Sequence, residues 1–257
     1  VTVLLWPRAP PLTAQVRSGE GGVEVLDVTC ESCPDGTTLA ARDAEAKVVG
    51  GRVSLPLELR IGDQTLKVKI DRPGSGRDET VSLPVRVAYR IRPDLTTLEA
   101  DRPSLQIVIE AMPGATVSLD GEDVPLRDGR AIKTVDVSKD VTGPSADLSA
   151  QLSRRIDFTV KPPDGPEEKG AVAVSVPLLP LTIDAPGRAI VTEKATFLLS
   201  GKTSPGAEIS VAGRSLGVQK DGHFSQTMNV SSVGATEIEV RAKTPGRAPR
   251  LVRIAVE

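Results

Sequence analysis

Two cysteines are the residues of this sequence whose spacing most directly suggests chemistry. They stand as Cys30-Glu-Ser-Cys33, a spacing typical of thioredoxin-like redox motifs and of half a zinc site. The alternating run before Cys30 predicts a strand and Pro34 begins a turn, so no helix follows that would lower a thiol pKa. We therefore predict a local disulfide that pins this turn, with free thiols as the alternative. A disulfide would place the chain in an oxidising compartment, such as the periplasm or the cell exterior.

Few other residues suggest acid–base or metal chemistry. His223 is the only histidine, and a surface position in the turn beside Gly222 explains it better than a role as catalytic base. The acidic residues Asp120, Glu122 and Asp128 lack the ligand spacing of an EF-hand calcium loop. We predict that the chain is not an enzyme, has no cofactor or metal, and binds no small-molecule ligand.

Composition narrows the remaining classes of function. The chain has 257 residues, 39% hydrophobic and 26% charged, which is enough to build the cores of two or three domains. The net charge of −2 argues against a nucleic-acid partner. No apolar run approaches the roughly 18 residues of a membrane-spanning segment. Carbohydrate binding by aromatic platforms is disfavoured because aromatic residues are rare: they are Trp6, Tyr89, Phe158, Phe197 and Phe224.

Three landmarks recur in the same order along the chain. The first is a turn, at Pro34-Asp-Gly36, Pro113-Gly-Ala115 and Pro205-Gly-Ala207. The second is a glycine before an alternating run, at Gly51, Gly129 and Gly222. The third is an alternating strand that ends in a proline turn, at Pro73, Pro162 and Pro245. Three copies of one unit therefore follow one another.

Within each copy the hydrophobic pattern has a period of two residues, as a strand with one buried face requires. Turn residues occur about every 8–12 positions, which indicates antiparallel sandwiches. Residues 37–48 contain good helix formers, but their place in the repeat predicts strands and a turn. The predicted fold class is all-β, with three tandem β-sandwich domains in an extended arrangement. Their predicted bounds are residues 1–92, 93–179 and 180–257.

The last copy carries the most specific pattern, clearest in residues 181–257. It combines Pro205-Gly-Ala207, a strand that ends at Gly213, the turn Asp221-Gly-His-Phe224 and a closing strand. This pattern resembles the bacterial immunoglobulin-like domains of the type found as domain B of glucodextranase. The middle copy is similar over Pro113-Gly-Ala-Thr-Val-Ser-Leu-Asp-Gly121, which also resembles the small PEGA domain. The resemblance implies immunoglobulin-like sandwiches that act as accessory, non-catalytic modules of secreted or envelope proteins.

One segment, residues 138–153, occurs only in the middle copy. Long connections in sandwiches often carry binding residues, so we predict a possible partner contact at Asp147, Leu148 and Leu152. The alternative is structural: the spacing of the two leucines suits a helical turn that covers the edge of a sandwich.

These observations favour an extracytoplasmic stalk or scaffold of tandem immunoglobulin-like modules that makes protein–protein contacts in a bacterial cell envelope. Its partners would be other envelope proteins or a neighbouring domain of a longer chain. The alternatives are a weakly glycan-binding accessory region of a secreted carbohydrate-active enzyme and an envelope-machine subunit that pairs edge strands with another chain. Residues 1–6 lack the basic start of a signal peptide, so any signal or anchor is expected outside this sequence.

Overall fold

A computed structural model describes residues 12–18, 24–74, 79–186, 189–190, 196–229 and 236–256. Residues 1–11, including Trp6, lie outside these ranges. In the described ranges the regular secondary structure is almost entirely strands, with a short helix α1 (Ser138–Val141) and a 3₁₀ turn at Thr96–Glu99. No helix in these ranges is long and apolar enough to span a membrane. The predicted all-β fold class is confirmed.

The first sandwich packs a three-stranded sheet against a four-stranded sheet. Alternate residues of the two sheets, such as Leu26 and Val68, point inward and form one buried core, because successive side chains of a strand face opposite sides. Residues 37–48 form two strands joined by a turn, as the repeat predicts. The sheets contain, in order, β1 (Thr13–Ser18), β2 (Glu24–Thr29) and β5 (Arg52–Pro56), and then β4 (Ala44–Lys47), β3 (Thr38–Ala41), β6 (Gly62–Asp71) and β7 (Glu79–Val87).

The second sandwich repeats this arrangement around its own core, which includes Ile107 and Val174. Its first strand, β8 (Tyr89–Asp94), crosses the predicted boundary between residues 92 and 93 and pairs with β9 (Ser104–Ala111) of the same sandwich. The sheets contain, in order, β8 (Tyr89–Asp94), β9 (Ser104–Ala111) and β12 (Arg130–Asp136), and then β11 (Glu122–Val124), β10 (Thr116–Leu119), β13 (Gln151–Lys161) and β14 (Glu168–Pro177).

The third sandwich adds one feature to the shared plan. A two-residue strand, β16 (Ala189–Ile190), pairs in parallel with the last strand, β22 (Arg250–Val256). The core of the third sandwich includes Phe224 and Ile254. The sheets contain, in order, β15 (Leu181–Ala185), β17 (Thr196–Thr203) and β20 (His223–Asn229), and then β16 (Ala189–Ile190), β22 (Arg250–Val256), β21 (Thr236–Lys243), β18 (Glu208–Val211) and β19 (Arg214–Leu216).

The landmark glycines occupy equivalent places in the three sandwiches. Each precedes the strand that completes the three-stranded sheet, and each accepts a backbone hydrogen bond at the end of the neighbouring strand. At Gly222 the backbone has φ +87°, and a Cβ atom would lie 2.1 Å from the Thr203 carbonyl oxygen, so a larger residue does not fit. The three bonds run from Cys30 N to Gly51 O (2.8 Å), from Ala111 N to Gly129 O (2.8 Å) and from Thr203 N to Gly222 O (2.9 Å).

Candidate functional site at the junctions between sandwiches

The two cysteines form a disulfide at the end of β2. Their Cα atoms are 5.4 Å apart, and both residues are buried in the first core. The Thr37 hydroxyl donates a 2.7 Å hydrogen bond to the Pro34 carbonyl in the turn that follows. The arrangement holds a strand end against its turn, with the two sulfurs bonded to each other.

Two of the acidic residues considered for calcium, Asp120 and Glu122, have hydrogen-bond partners. Asp120 accepts a 2.9 Å hydrogen bond from the Asp157 amide. Glu122 accepts a 2.7 Å hydrogen bond from Lys133, and this bond, followed by the lysine's charge, lowers the pKa of Glu122. Within the described ranges, no three His, Cys, Asp or Glu residues are grouped as metal ligands.

Two residues that resemble catalytic groups lie on exposed hairpins of the third sandwich. His223 begins β20, and its amide donates a 3.1 Å hydrogen bond to Asp221. The run from Gly213 to Gly217 has the spacing Gly-x-Ser-x-Gly, with Ser215 on β19 opposite Ser210 on β18. A nucleophile elbow requires a turn from a strand into a helix, and this segment is a strand–turn–strand hairpin.

The segment specific to the second sandwich reaches the third sandwich through its backbone. The Gly143 amide donates to the Leu251 carbonyl at 2.7 Å, and Ser145 exchanges two 2.8 Å hydrogen bonds with Leu181. Asp147 then accepts hydrogen bonds from the Ser149 amide (2.8 Å) and hydroxyl (2.7 Å). These bonds lower the pKa of Asp147, with a smaller contribution from the Arg250 charge.

The predicted contact residues in this segment lie in different environments. Leu148 is 70% exposed, whereas Leu152 is 1% exposed in the second core. The helical turn considered for these leucines is absent: Leu148 lies in a turn and Leu152 on β13, while the helix of the segment is α1. A partner at this surface would therefore touch Asp147 and Leu148, and that contact stays a prediction.

Arg90 is the centre of the first junction. It lies on β8 and donates two hydrogen bonds to Glu24 of the first sandwich, one of them at 2.8 Å. It also donates to Glu110 on β9 at 2.8 Å and to the Leu59 carbonyl. The three charged side chains are only 11% (Arg90), 8% (Glu24) and 14% (Glu110) exposed.

The partners of Arg90 are themselves held in place. Glu24 also accepts a 3.0 Å hydrogen bond from the Leu59 amide, and Glu110 lies 3.1 Å from the exposed Arg130. The hydrogen bond to Glu24 is the main reason that the pKa of Arg90 is raised. A buried charge is tolerated only when it is paired and hydrogen-bonded, so this cluster requires both sandwiches in their observed positions.

Weaker contacts surround this cluster. Arg86 of β7 lies 3.5 Å from Asp164 in the turn between β13 and β14. The Tyr89 hydroxyl donates a 2.8 Å hydrogen bond to Glu168, and its ring packs edge-to-face on Phe158 with centroids 5.9 Å apart. Burial, and then the bond to Glu168, raises the pKa of Tyr89.

Arg241 has the corresponding role at the second junction. This buried residue on β21 donates to two carbonyls of the second sandwich, Ala100 at 2.9 Å and Asp101 at 2.7 Å. It also bonds Glu239 at 2.9 Å, while Lys243 donates to the Glu99 carbonyl at 3.0 Å.

The proline-rich linker between the second and third sandwiches is bonded along its length. The Ala248 amide donates to Pro177 at 2.9 Å, and the Leu179 amide donates to Ala248 at 3.1 Å. Arg250, whose pKa is lowered mainly by burial, donates to the Leu179 carbonyl at 3.1 Å. Ala248 and Leu251 of the third sandwich pack into the second core, so this junction is continuous with a domain interior.

Sequence reasoning did not single out Arg90, Glu24 or Arg241. Each is a charged residue in an alternating strand, where a solvent-facing side chain is the ordinary expectation. The one signal was position, because Arg90 lies two residues from the predicted boundary at 92.

No protein-family model matches this chain, and no curated protein has a significantly similar sequence. The glucodextranase-type resemblance therefore stays a prediction.

Among solved structures, the chain is similar to tandem extracellular domains. Domains 3–5 of Drosophila OTK are 13% identical, with 91% of this chain and 92% of that chain covered and a TM-score of 0.25. The Sidekick-1 immunoglobulin domains 1–5 are 12% identical over 90% of this chain, with a TM-score of 0.24, and the chain spans 55% of their length. A tetra-tandem repeat from the extending region of a large adhesion protein is 20% identical, with 97% and 74% covered and a TM-score of 0.21. Because these values are low, the assignment of tandem immunoglobulin-like sandwiches rests on the sheets and cores described above.

Proposed function

We propose that this chain is a non-catalytic spacer: a rigid row of immunoglobulin-like sandwiches that holds its neighbours apart and presents surfaces for protein contact. The observation that carries the proposal is the pair of junctions centred on Arg90 and Arg241. The side chains of Arg90 and Arg241 are 11% and 8% exposed, and each is bonded to groups of the adjacent sandwich. Flexible linkers between domains contain few such contacts.

The accessible surface supports an elongated shape. The chain exposes 15,813 Å². One compact globule of 27.0 kDa would expose roughly 10,800 Å², and three separate domains of one third that mass would together expose roughly 14,600 Å². The observed area is closer to the value for three separate domains than to the value for one globule, as expected when each sandwich contacts the next over a small part of its surface.

The buried disulfide supports a location outside the cytoplasm. Cys30 and Cys33 are bonded to each other, and structural disulfides persist in oxidising compartments. We propose the periplasm or the cell surface as the place where this spacer acts.

Small-angle X-ray scattering tests the proposed shape. A compact chain of this length would have a radius of gyration of about 18 Å. Three sandwiches in line, with centres about 35 Å apart because their longest strands have about that length, would give about 30 Å. A value near 18 Å would contradict the spacer.

A further inference from the structure

The last strand of the second sandwich, β14, has an open edge. Strand β14 pairs with β13 on one side, and no other strand of the described ranges pairs with its other side. A cleft of about 790 Å³ follows this side between β14 and β8. Unpaired backbone groups on a sheet edge are a template for another strand.

The hydrogen-bond register shows which residues direct their backbone groups to this edge. Leu178 donates to Ala150 at 2.8 Å, in the register that places Val176 opposite Leu152. In an antiparallel ladder the bonded residues alternate, so the even-numbered residues of β14 bond to β13. The amides and carbonyls of Ala171, Ala173 and Ser175 therefore point to the open edge.

The equivalent strands of the other two sandwiches carry protection at positions where the centre of β14 has none. Strand β7 places Pro84 and Arg86 at the outward positions, and both residue types discourage strand pairing. Strand β22 places Arg253 outward and is covered by β16. The outward residues of β14 are Lys169, Ala171, Ala173, Ser175 and Pro177. The charge and the proline lie only at its two ends, and the centre from Ala171 to Ser175 has neither.

We infer that β14 is an interaction surface whose partner is the β14 strand of a second copy of this chain, paired antiparallel about Ala173. The edge is complementary to itself in that register. Ala173 lies opposite Ala173 of the other copy, and Ala171 lies opposite Ser175, so small uncharged side chains meet at the centre, while Lys169 lies opposite Pro177 at each end. Each of these pairs exchanges two main-chain hydrogen bonds. This inference goes beyond the spacer and does not depend on the junctions.

The contact is short, and interfaces of this size form weak, reversible complexes. The second unit, residues 93–179, has 15 acidic and 9 basic residues, a net charge of −6, so like-charge repulsion weakens the dimer at low ionic strength. We therefore expect dimers at high protein concentration and physiological ionic strength.

Sedimentation velocity from about 10 µM to 1 mM tests this inference. The wild-type chain is expected to shift reversibly from monomer to dimer. Ala173→Lys places two like charges opposite each other and is expected to weaken dimerisation by about tenfold or more. Thr134→Lys is the matched control, because Thr134 is an exposed residue on β12, the edge strand of the other sheet of this sandwich. A monomer throughout the range, or equal loss in both variants, would overturn the inference.

A cross-linking experiment provides a positive signal. Bonded antiparallel pairs have Cα atoms about 5.5 Å apart, which is within the range of a disulfide. Ala173→Cys is therefore expected to form a covalent dimer at least about tenfold faster than Thr134→Cys on mild oxidation. Equal rates would overturn the inference. A dimer would raise the radius of gyration, so the scattering test of the spacer is made at concentrations where sedimentation shows monomer, and the two proposals then fail separately.

Discussion

Replacing Arg90 by methionine tests the first junction most severely. The substitution keeps the apolar stem of the side chain but removes the guanidinium that bonds Glu24, Glu110 and the Leu59 carbonyl. Glu110 keeps Arg130 as a partner. Glu24 keeps only the Leu59 amide, and its side chain is 8% exposed.

The expected cost follows from that uncompensated carboxylate. Removing one partner of a buried ion pair costs about 3–5 kcal/mol, so Arg90→Met is expected to lower the free energy of unfolding by that amount. Arg92→Met is the matched control. Arg92 is 46% exposed and lies 3.7 Å from Glu58, an exposed pair worth about 1 kcal/mol or less.

Equilibrium urea unfolding at neutral pH, followed by circular dichroism, measures both variants. A double variant, Glu24→Gln with Arg90→Met, removes the stranded charge and is expected to recover about 2 kcal/mol of the loss. If the free energies of unfolding of Arg90→Met and Arg92→Met differ by less than about 1 kcal/mol, the proposed role of Arg90 at this junction is refuted.

Two further predictions concern other parts of the chain. Gly222→Ala is expected to cost about 3 kcal/mol or more in thermal or urea unfolding, since its φ is +87° and a Cβ would clash with a backbone oxygen. Gly217→Ala, where a Cβ meets nothing within 4 Å, should change stability by about 0.5 kcal/mol or less; equal losses would contradict the turn argument. Tyr89 is the only tyrosine, so absorbance at 295 nm reports its ionisation. Its folded-state pKa lies above the ordinary value of 10.0, so its contribution to stability is present below pH 10 and is lost as the pH rises through the folded-state pKa. Glu168→Gln should move the titration part of the way back towards 10, and a midpoint near 10 in the folded wild type would contradict the buried environment.

The fold could be predicted from sequence because its determinants are local. The alternation of hydrophobic and polar residues and the glycines in turns are both visible within a few neighbouring residues. Over residues 37–48 these features predicted the strands correctly although the residues are good helix formers. A glycine such as Gly222 indicates a turn with positive φ, and such a glycine can be recognised in the sequence alone. Because the three units share the same order of landmarks, the clear sequence pattern of the third sandwich also predicted the fold of the first two, whose patterns are weaker.

The junctions could not be predicted because their partners are distant in sequence. Arg90 is 66 residues from Glu24, and Arg241 is 141 residues from Ala100. The sequence around each arginine is the same as that expected around a solvent-exposed arginine on a strand. The four-residue spacing of Leu148 and Leu152 likewise suggested a helical turn, whereas strand pairing placed Leu152 on β13 in the core.

The central claim is that the junction bonds fix each sandwich relative to the next, and electron–electron distance measurements between spin labels test it most directly. Exposed positions suitable for labels are Val49, Ile132 and Leu198, one on each sandwich; the native cysteines are already bonded to each other. Labels at Val49→Cys and Ile132→Cys span the first junction, and labels at Ile132→Cys and Leu198→Cys span the second, with unlabelled chain added to dilute any dimer. We expect one narrow distance distribution for each pair, with Arg90→Met broadening only the first. Broad distributions in the unmodified junctions, or no change with Arg90→Met, would contradict the claim.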